Sequence, residues 1–194
     1  TYEESEEVVV ATYPFTKIYP FSEGRAWVNF DKDGIICTGI IDTDGNLLYE
    51  SESEFFYVSQ FKDGTAFYRE NQEETSPCGI IDLDGNVLFD SQITSDGGYL
   101  ILGYGEGHFF VVQHIQNFDV NEWYYGTIDK NGNILNELKI DTVEEKSESE
   151  LVTRNLGNWI ADKELCSIIK YIGENCIAFP RGLYNISTGN FASL

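Results

Sequence analysis

Apolar and polar positions alternate along most of the chain, and Gly-containing turns interrupt the alternation at short intervals. Successive residues of a strand point to opposite faces, so this two-residue period predicts β-strands, and helical periodicity is absent from the repeated part. Residues 21–60 contain four predicted extended segments: Arg25–Phe30, Ile35–Asp42, Asn46–Tyr49 and Phe55–Gln60. Asp44-Gly45 between apolar segments predicts a hairpin, in which both central turn residues need a positive φ.

The same pattern occurs four times. FSEGRAWV at residue 21 is followed by GIIDTDGNLL at 39, FKDGTAFY at 61 by GIIDLDGNVL at 79, and YGEGHFFV at 104 by GTIDKNGNIL at 126. A worn copy at residue 171 reads YIGENCIAF and then GLYNISTGN. Such self-similarity is typical of repeat architectures. The predicted units are residues 21–60, 61–103 and 104–138, an irregular or degenerate stretch 139–170, and a last unit 171–194.

Equivalent positions of the units predict the core. One column holds large apolar residues at Trp27, Phe67, Phe110 and Ile177, and another holds Phe21, Phe61, Tyr104 and Tyr171. Positions that stay large and apolar in every copy are expected to pack between sheets, so Trp27, Phe67 and Phe110 are predicted to be equivalent and buried.

The two ends of the chain predict closure. Val8–Pro20 resembles the tail half of a unit, and residues 171–194 the head half of another. We therefore predict one all-β repeat domain over residues 1–194, a propeller-like ring of about four antiparallel units of 40–47 residues. In it, Val8–Pro20 completes the last unit by pairing with Cys176–Leu194, which removes open sheet edges. An elongated or curved β-array of the same hairpins is the alternative.

The motif F-x-E-G-x-A-x-V followed by G-x-I-D-x-x-G-N resembles the bacterial WG-repeat family, also called KWG repeats. The likeness is good over residues 21–138 and loose over 171–190. The Trp that precedes the family's Gly is replaced by Thr38, Cys78, Tyr125 and Arg181. The resemblance implies all-β repeats of propeller-like or related character. It also implies an interaction module, with no catalytic residue to carry over.

Charge excludes several classes of partner. The 194 residues include 12 Lys+Arg and 33 Asp+Glu, a net charge of -21, which disfavours binding to nucleic acid or to an anionic membrane surface. No apolar run approaches the ~20 residues that a membrane span needs, so membrane insertion is not expected. The chain begins at Thr1 and contains no Met, which indicates a mature or trimmed fragment. This favours an exported or cell-surface location over the cytoplasm.

The repeated acidic turn is the sharpest candidate for a site. It presents alternating oxygen-bearing side chains, which are Asp42, Asp44 and Asn46, then Asp82, Asp84 and Asn86, then Asp129, Asn131 and Asn133. Oxygen ligands at such spacing suit Ca²⁺, but Gly45 falls at position 4 of the loop and Ser53 at position 12, unlike an EF-hand. A structural turn, in which Asp42 accepts backbone hydrogen bonds, is the favoured interpretation, and no metal or other cofactor is predicted.

Histidine and cysteine give no further site. His108 and His114 could share one face of a strand, but no third metal ligand accompanies them, so surface or half-buried histidines are expected. Cys37, Cys78, Cys166 and Cys176 form no C-x-x-C pair, and buried free thiols are favoured over disulfides or a zinc site.

The position just after the repeat Gly differs in every unit and is a candidate recognition column, made of Arg25, Thr65, His108 and Asn175. Plain solvent exposure is the favoured interpretation of this column, and recognition is the alternative. We predict a non-enzymatic binding or scaffold module, without catalytic residues, for a protein or carbohydrate partner. The alternative is a carbohydrate-active hydrolase that uses paired carboxylates. The ligand and the oligomeric state are left open.

Overall fold

The structure is a computed structural model of the chain. It describes residues 14–73, 75–94, 97–116, 121–140, 170–173, 176–179, 182–185 and 190–193. These residues contain strands and turns and no helix, so the all-β prediction is confirmed. Within this described part, no helix could span a membrane.

The strands form four antiparallel sheets of four strands each, and in each sheet neighbours in sequence are neighbours in space. The first sheet contains β1 (Phe15–Ile18), β2 (Arg25–Lys32), β3 (Ile35–Asp42) and β4 (Leu47–Glu50). The second contains β5 (Tyr57–Val58), β6 (Thr65–Arg69), β7 (Cys78–Asp82) and β8 (Val87–Ser91). The third contains β9 (Leu100–Gly105), β10 (His108–Gln116), β11 (Asn121–Ile128) and β12 (Ile134–Ile140). The fourth contains β13 (Lys170–Tyr171), β14 (Cys176–Phe179), β15 (Gly182–Asn185) and β16 (Asn190–Ser193).

Each sheet begins one strand earlier than the sequence pattern indicated. Residues 57–58 lie within the predicted segment Phe55–Gln60, yet they form the first strand of the second sheet. In the same way, Phe15–Ile18 is the first strand of the first sheet. It pairs with Arg25–Lys32 and not with the strands of residues 176–193. The fourth sheet is made of four strands from residues 170–193. The prediction that residues 15–18 complete this sheet by pairing with Cys176–Leu194 is therefore wrong. Residues 8–13 lie outside the described part.

Two kinds of turn connect the strands. At Glu23-Gly24, which connects β1 to β2, both residues have a positive φ, of 51° and 76°. At the Asp42–Asn46 turn between β3 and β4, Gly45 has φ 83°, and Asp44 is not among the residues with positive φ. The positive φ predicted for Gly45, Gly85 and Gly132 is therefore confirmed. The two-residue form predicted for the Asp-Gly turn is wrong, and a register shift at Ile40/Ile41 shows a bulge there.

The repeat Gly after Thr38 and Cys78 is explained by an aromatic ring. A Cβ on Gly79 would lie 2.6 Å from the ring of Tyr68, its cross-strand partner. A Cβ on Gly39 would lie 3.0 Å from the Phe30 ring and 2.8 Å from the carbonyl oxygen of Tyr49. The aromatic side chain covers the glycine and fills the space that a side chain would otherwise take, so only Gly fits.

The core lies between successive sheets. Trp27 packs with Phe55 and Phe61 between the first and second sheets, and Phe67 packs edge-on against Phe109 between the second and third. Trp27, Phe67 and Phe110 expose 2%, 2% and 0% of their surface, so their predicted burial is confirmed.

The predicted alignment of the fourth copy with the other three is wrong by one residue. Phe179 faces Gly182 as Val28 faces Gly39, so Ala178, and not Ile177, occupies the position of Trp27. Ile177 is nevertheless fully buried, in the cluster of the second and third sheets. The backbone hydrogen bond from Ile172 to Cys176 spans one residue more than that from Ser22 to Arg25, so the fourth copy has an extra residue before β14.

The thiols of Cys37 and Cys78 are free and buried, and Cys176 is half-buried. Burial raises the pKa of the Cys78 thiol to about 12, which makes it a packing group and not a reactive one. Cys166 lies outside the described residues.

Candidate functional site: the turn end of the sheets

One end of the sheets gathers nearly all the candidate residues. The β1–β2 and β3–β4 turns of an antiparallel sheet lie at the same end. In the first sheet Arg25 therefore faces Asp42, and in the second Thr65 faces Asp82. We call this end, where the Glu23, Asp63 and Glu106 turns lie with the Asp42, Asp82 and Asp129 turns, the turn end.

The carboxylates of Asp42, Asp82 and Asp129 accept hydrogen bonds from within their own turns. Oδ1 of Asp42 accepts hydrogen bonds from the backbone N–H groups of Asp44 and Asn46, both at 2.9 Å, and Oδ2 accepts one from Asn46 Nδ2 at 2.8 Å. Asp82 and Asp129 accept the same three bonds from their own turns. The five-residue turn is thus one structural device repeated three times.

These hydrogen bonds also lower the pKa of the three carboxyl groups. The side-chain hydrogen bond from Asn46 lowers the pKa of Asp42, and that from Asn133 lowers the pKa of Asp129. Partial burial raises the pKa of Asp82, but the bonds from Asn86 and the turn amides outweigh it, and the net shift is downward. A general acid of a glycosidase needs the opposite shift, so these three carboxyls are poorly suited to that role.

The turns offer little to a cation. In the described part of the chain no three His, Cys, Asp or Glu side chains come together in a group that could hold a metal ion. Because both oxygens of Asp42 already accept hydrogen bonds, Ca²⁺ would have to compete with the turn for them.

The predicted recognition column is not a row of exposed side chains. Thr65 is buried, and its hydroxyl donates to the carbonyl of Lys62 at 3.3 Å. His108 is half-buried, with Nδ1 3.0 Å from the carbonyl oxygen of Glu106. Asn175 lies outside the described residues, and the register of the fourth sheet places Cys176 opposite Asn185 as Arg25 is opposite Asp42. The side chain of His114, on β10, is outside the description.

Arg25 joins two sheets instead of facing solvent. Its Nε donates to the carbonyl of Leu83 at 2.5 Å, and its Nη1 donates to the carbonyl of Gly24 at 3.0 Å. Its Nη2 lies 4.0 Å from Asp84 Oδ1, whose side chain is 82% exposed. Arg25 therefore fastens the first sheet to the β7–β8 turn of the second.

The first and second sheets meet turn to turn. The carboxylate of Glu23 accepts hydrogen bonds from the backbone N–H groups of Asp63 at 3.0 Å and Gly64 at 2.9 Å. The Ser22 hydroxyl donates to the carbonyl of Phe61 at 2.6 Å, and the Trp27 ring stacks on the Phe61 ring at 5.8 Å. We call this set of contacts the turn joint.

A variant of the turn joint connects the second and third sheets. Asp63 stands where Glu23 stands but is one methylene shorter, and a tyrosine hydroxyl bridges the gap. Tyr104 donates to Asp63 Oδ2 at 2.8 Å and accepts from the backbone N–H of Gly107 at 3.1 Å. Burial and the bond to Asp63 raise the pKa of Tyr104 to about 12, so the bridging proton stays in place at neutral pH.

The exposed variable positions lie within the turns and were missed by the sequence analysis. The three β3–β4 turns share their first, fourth and fifth residues but differ at the second and third, which are Thr43-Asp44, Leu83-Asp84 and Lys130-Asn131. All of these are exposed except Leu83, which is half-buried. The sequence contains a signal for these exposed positions, which is the variation of two residues within a turn whose other three residues are constant.

A family model described as "WG containing repeat" matches residues 8–32. Residues 8–32 are therefore similar to a WG repeat. The WG match takes in β1, the Glu23-Gly24 turn and β2, so it agrees with a structural unit that begins at the strand before the turn. No curated protein matches the chain.

Proposed function

We propose that the protein is a non-enzymatic WG-repeat module that binds or scaffolds other molecules through the turn end of its sheets. The match to a WG repeat supports a repeat module. The use of Asp42, Asp82 and Asp129 within their own turns supports a structural role for the groups that would otherwise suggest chemistry.

The observation that carries this proposal is that constant and variable positions are separate within the turns that begin at Asp42, Asp82 and Asp129. In the three described copies, three positions hold the same residues and the same hydrogen bonds. The second position changes from Thr43 to Leu83 to Lys130, and the third changes from Asp44 and Asp84 to Asn131. A constant frame with exchangeable exposed side chains is how repeat proteins build binding surfaces.

Binding and turnover can be measured on the same probes. The full chain is screened against an array of neutral, acidic and basic peptides and against an array of oligosaccharides, and every bound oligosaccharide is then assayed for release of reducing ends. We expect saturable binding to one class of probe and no cleavage. Time-dependent cleavage of a bound oligosaccharide would contradict the proposal.

A matched pair of variants locates the surface. Asp44→Asn with Asp84→Asn installs the residue that the third turn already carries as Asn131, so the turns should be kept. The control, Asp33→Asn with Glu52→Gln, removes two charges at exposed positions away from the turn end. The first variant should change the affinity for the probe and the control should not, whereas equal effects would place the binding surface elsewhere.

A further inference from the structure

We propose that the first sheet carries an unfilled turn joint, a binding site for the hairpin turn of another WG-type repeat. The filled joint has two sides. The first sheet gives the side chains of Ser22, Glu23, Arg25 and Trp27. The second sheet receives them with the ring and carbonyl of Phe61, the backbone N–H groups of Asp63 and Gly64, and the carbonyl of Leu83.

The same receiving groups are open on the first sheet. Phe61 exposes 2% of its surface, whereas its equivalent Phe21 exposes 50%. The backbone N–H groups of Glu23 and Gly24, equivalent to those of Asp63 and Gly64, donate to no acceptor in the described part of the chain. There the carbonyls of Phe21 and Thr43, equivalent to those of Phe61 and Leu83, likewise accept no hydrogen bond.

The turn glycines give an independent sign of the vacancy. Gly45, Gly85 and Gly132 all have φ 83°. A Cβ on Gly85 would lie 2.6 Å from the carbonyl oxygen of Leu48, and one on Gly132 would lie 2.4 Å from the ring of Phe89, because each turn sits on the preceding sheet. At Gly45 no described residue lies within 4 Å. Among the described residues, nothing therefore occupies at the turn of the first sheet the place that the preceding sheet occupies at the turns of the second and third.

The groups around the vacancy define what fits it. Two adjacent N–H groups with no acceptor suit a carboxylate, and an exposed Phe ring suits an aromatic partner. In the filled joint these come from Glu23 and Trp27, four residues apart on one hairpin. Ala26, Val28 and Phe30, on the face beside the vacancy, are buried, so the exposed part of this face is limited to the turn around Phe21. The occupant is thus a turn of the type Ser-Glu-Gly-Arg-Ala-Trp, whatever else the protein binds.

The test uses the full chain and a synthetic hairpin. A head-to-tail cyclised peptide with the sequence of residues 17–30 is titrated into the isotope-labelled chain at 0.15 M ionic strength, where screening over about 8 Å limits the repulsion between two acidic partners. We expect the amide signals of Glu23 and Gly24 to move saturably and those of Asp63 and Gly64 to stay. Peptides with Glu23→Gln or Trp27→Ala should bind at least ten times more weakly.

Three results would overturn the proposal. The first is an absence of shifts at Glu23 and Gly24, or shifts that the two altered peptides and a Phe21→Ala chain reproduce. The second is amide exchange at Glu23 and Gly24 in the free chain as slow as at Asp63 and Gly64, which would mean that the vacancy is already filled. The third is movement of the same signals with protein concentration alone, which would mean that contact between two copies of the chain, and not binding of the hairpin, accounts for the shifts.

Discussion

At the scale of single residues, the neighbouring sheet decides how much an aromatic side chain contributes. Phe21 and Phe61 occupy equivalent positions after β1 and β5, yet Phe61 lies under Trp27 and Phe21 lies half in solvent. The repeat columns predicted the burial of Trp27, Phe67 and Phe110 correctly. They could not separate Phe21 from Phe61, because the difference comes from a partner in the preceding sheet.

Phe61→Ala should lower the free energy of unfolding by about 3–5 kcal/mol, because it empties a packed site under Trp27. Phe21→Ala is the matched control at the equivalent, half-exposed position, and it should cost less than about 1 kcal/mol. Urea unfolding of both variants measures the difference. Equal losses would show that Phe21 is buried in solution.

Gly79→Ala should destabilise the fold by about 1–3 kcal/mol, because its Cβ would meet the Tyr68 ring. In a Tyr68→Val background the ring is gone, and the same substitution should cost much less. A double-mutant cycle by urea unfolding measures this coupling. Additive effects would mean that the ring does not restrict this position.

At the scale of elements, the Asp turns are expected to link stability to pH. The folded pKa of Asp42, Asp82 and Asp129 lies below the ordinary 3.8, so their contribution is present above that value and is lost as the pH falls through the lowered folded pKa.

The triple variant Asp42→Asn, Asp82→Asn, Asp129→Asn should therefore lose less of its melting temperature than the native chain between pH 5 and about pH 2. Asn185 already occupies the equivalent position in the fourth sheet. The control removes three other charges, at Asp33 and at the third position of two of the turns, with Asp33→Asn, Asp44→Asn and Asp84→Asn. If the control flattens the profile as much as the triple variant, net charge and not the turn bonds sets the acid response.

Calcium should leave the melting temperature unchanged, since the turn already uses both oxygens of each first Asp. Thermal unfolding with millimolar CaCl₂ and with chelator measures this. A stabilisation that grows with calcium and disappears with chelator would favour the calcium interpretation of the turns.

The strands themselves could be predicted from alternation and from the turn residues, but their grouping into sheets could not. The segment Phe55–Gln60 lies between two sheets, and only pairing with residues 68–69 assigns it to the second. That pairing depends on long-range contacts that a local pattern does not contain. The position of Phe15–Ile18 was misassigned for the same reason.

At the scale of the molecule, the first three sheets are joined in chain order, with a turn of one sheet in contact with a turn of the next. The sequence showed that Glu23, Asp63 and Glu106 are equivalent but gave no sign that they act between repeats. The joint depends on the contact of the Glu23 carboxylate with the backbone N–H groups of Asp63 and Gly64, which only the folded chain brings together.

The most direct test of this account is residue-resolved amide hydrogen exchange in the native chain and in Glu23→Gln. The substitution keeps the shape of the side chain but weakens its hold on the two N–H groups of the next repeat. We predict faster exchange at Asp63 and Gly64, with the Gly85 amide, which bonds to Asp82 in its own turn, unchanged. Unchanged exchange at Asp63 and Gly64 would contradict the claim that the repeats are joined turn to turn.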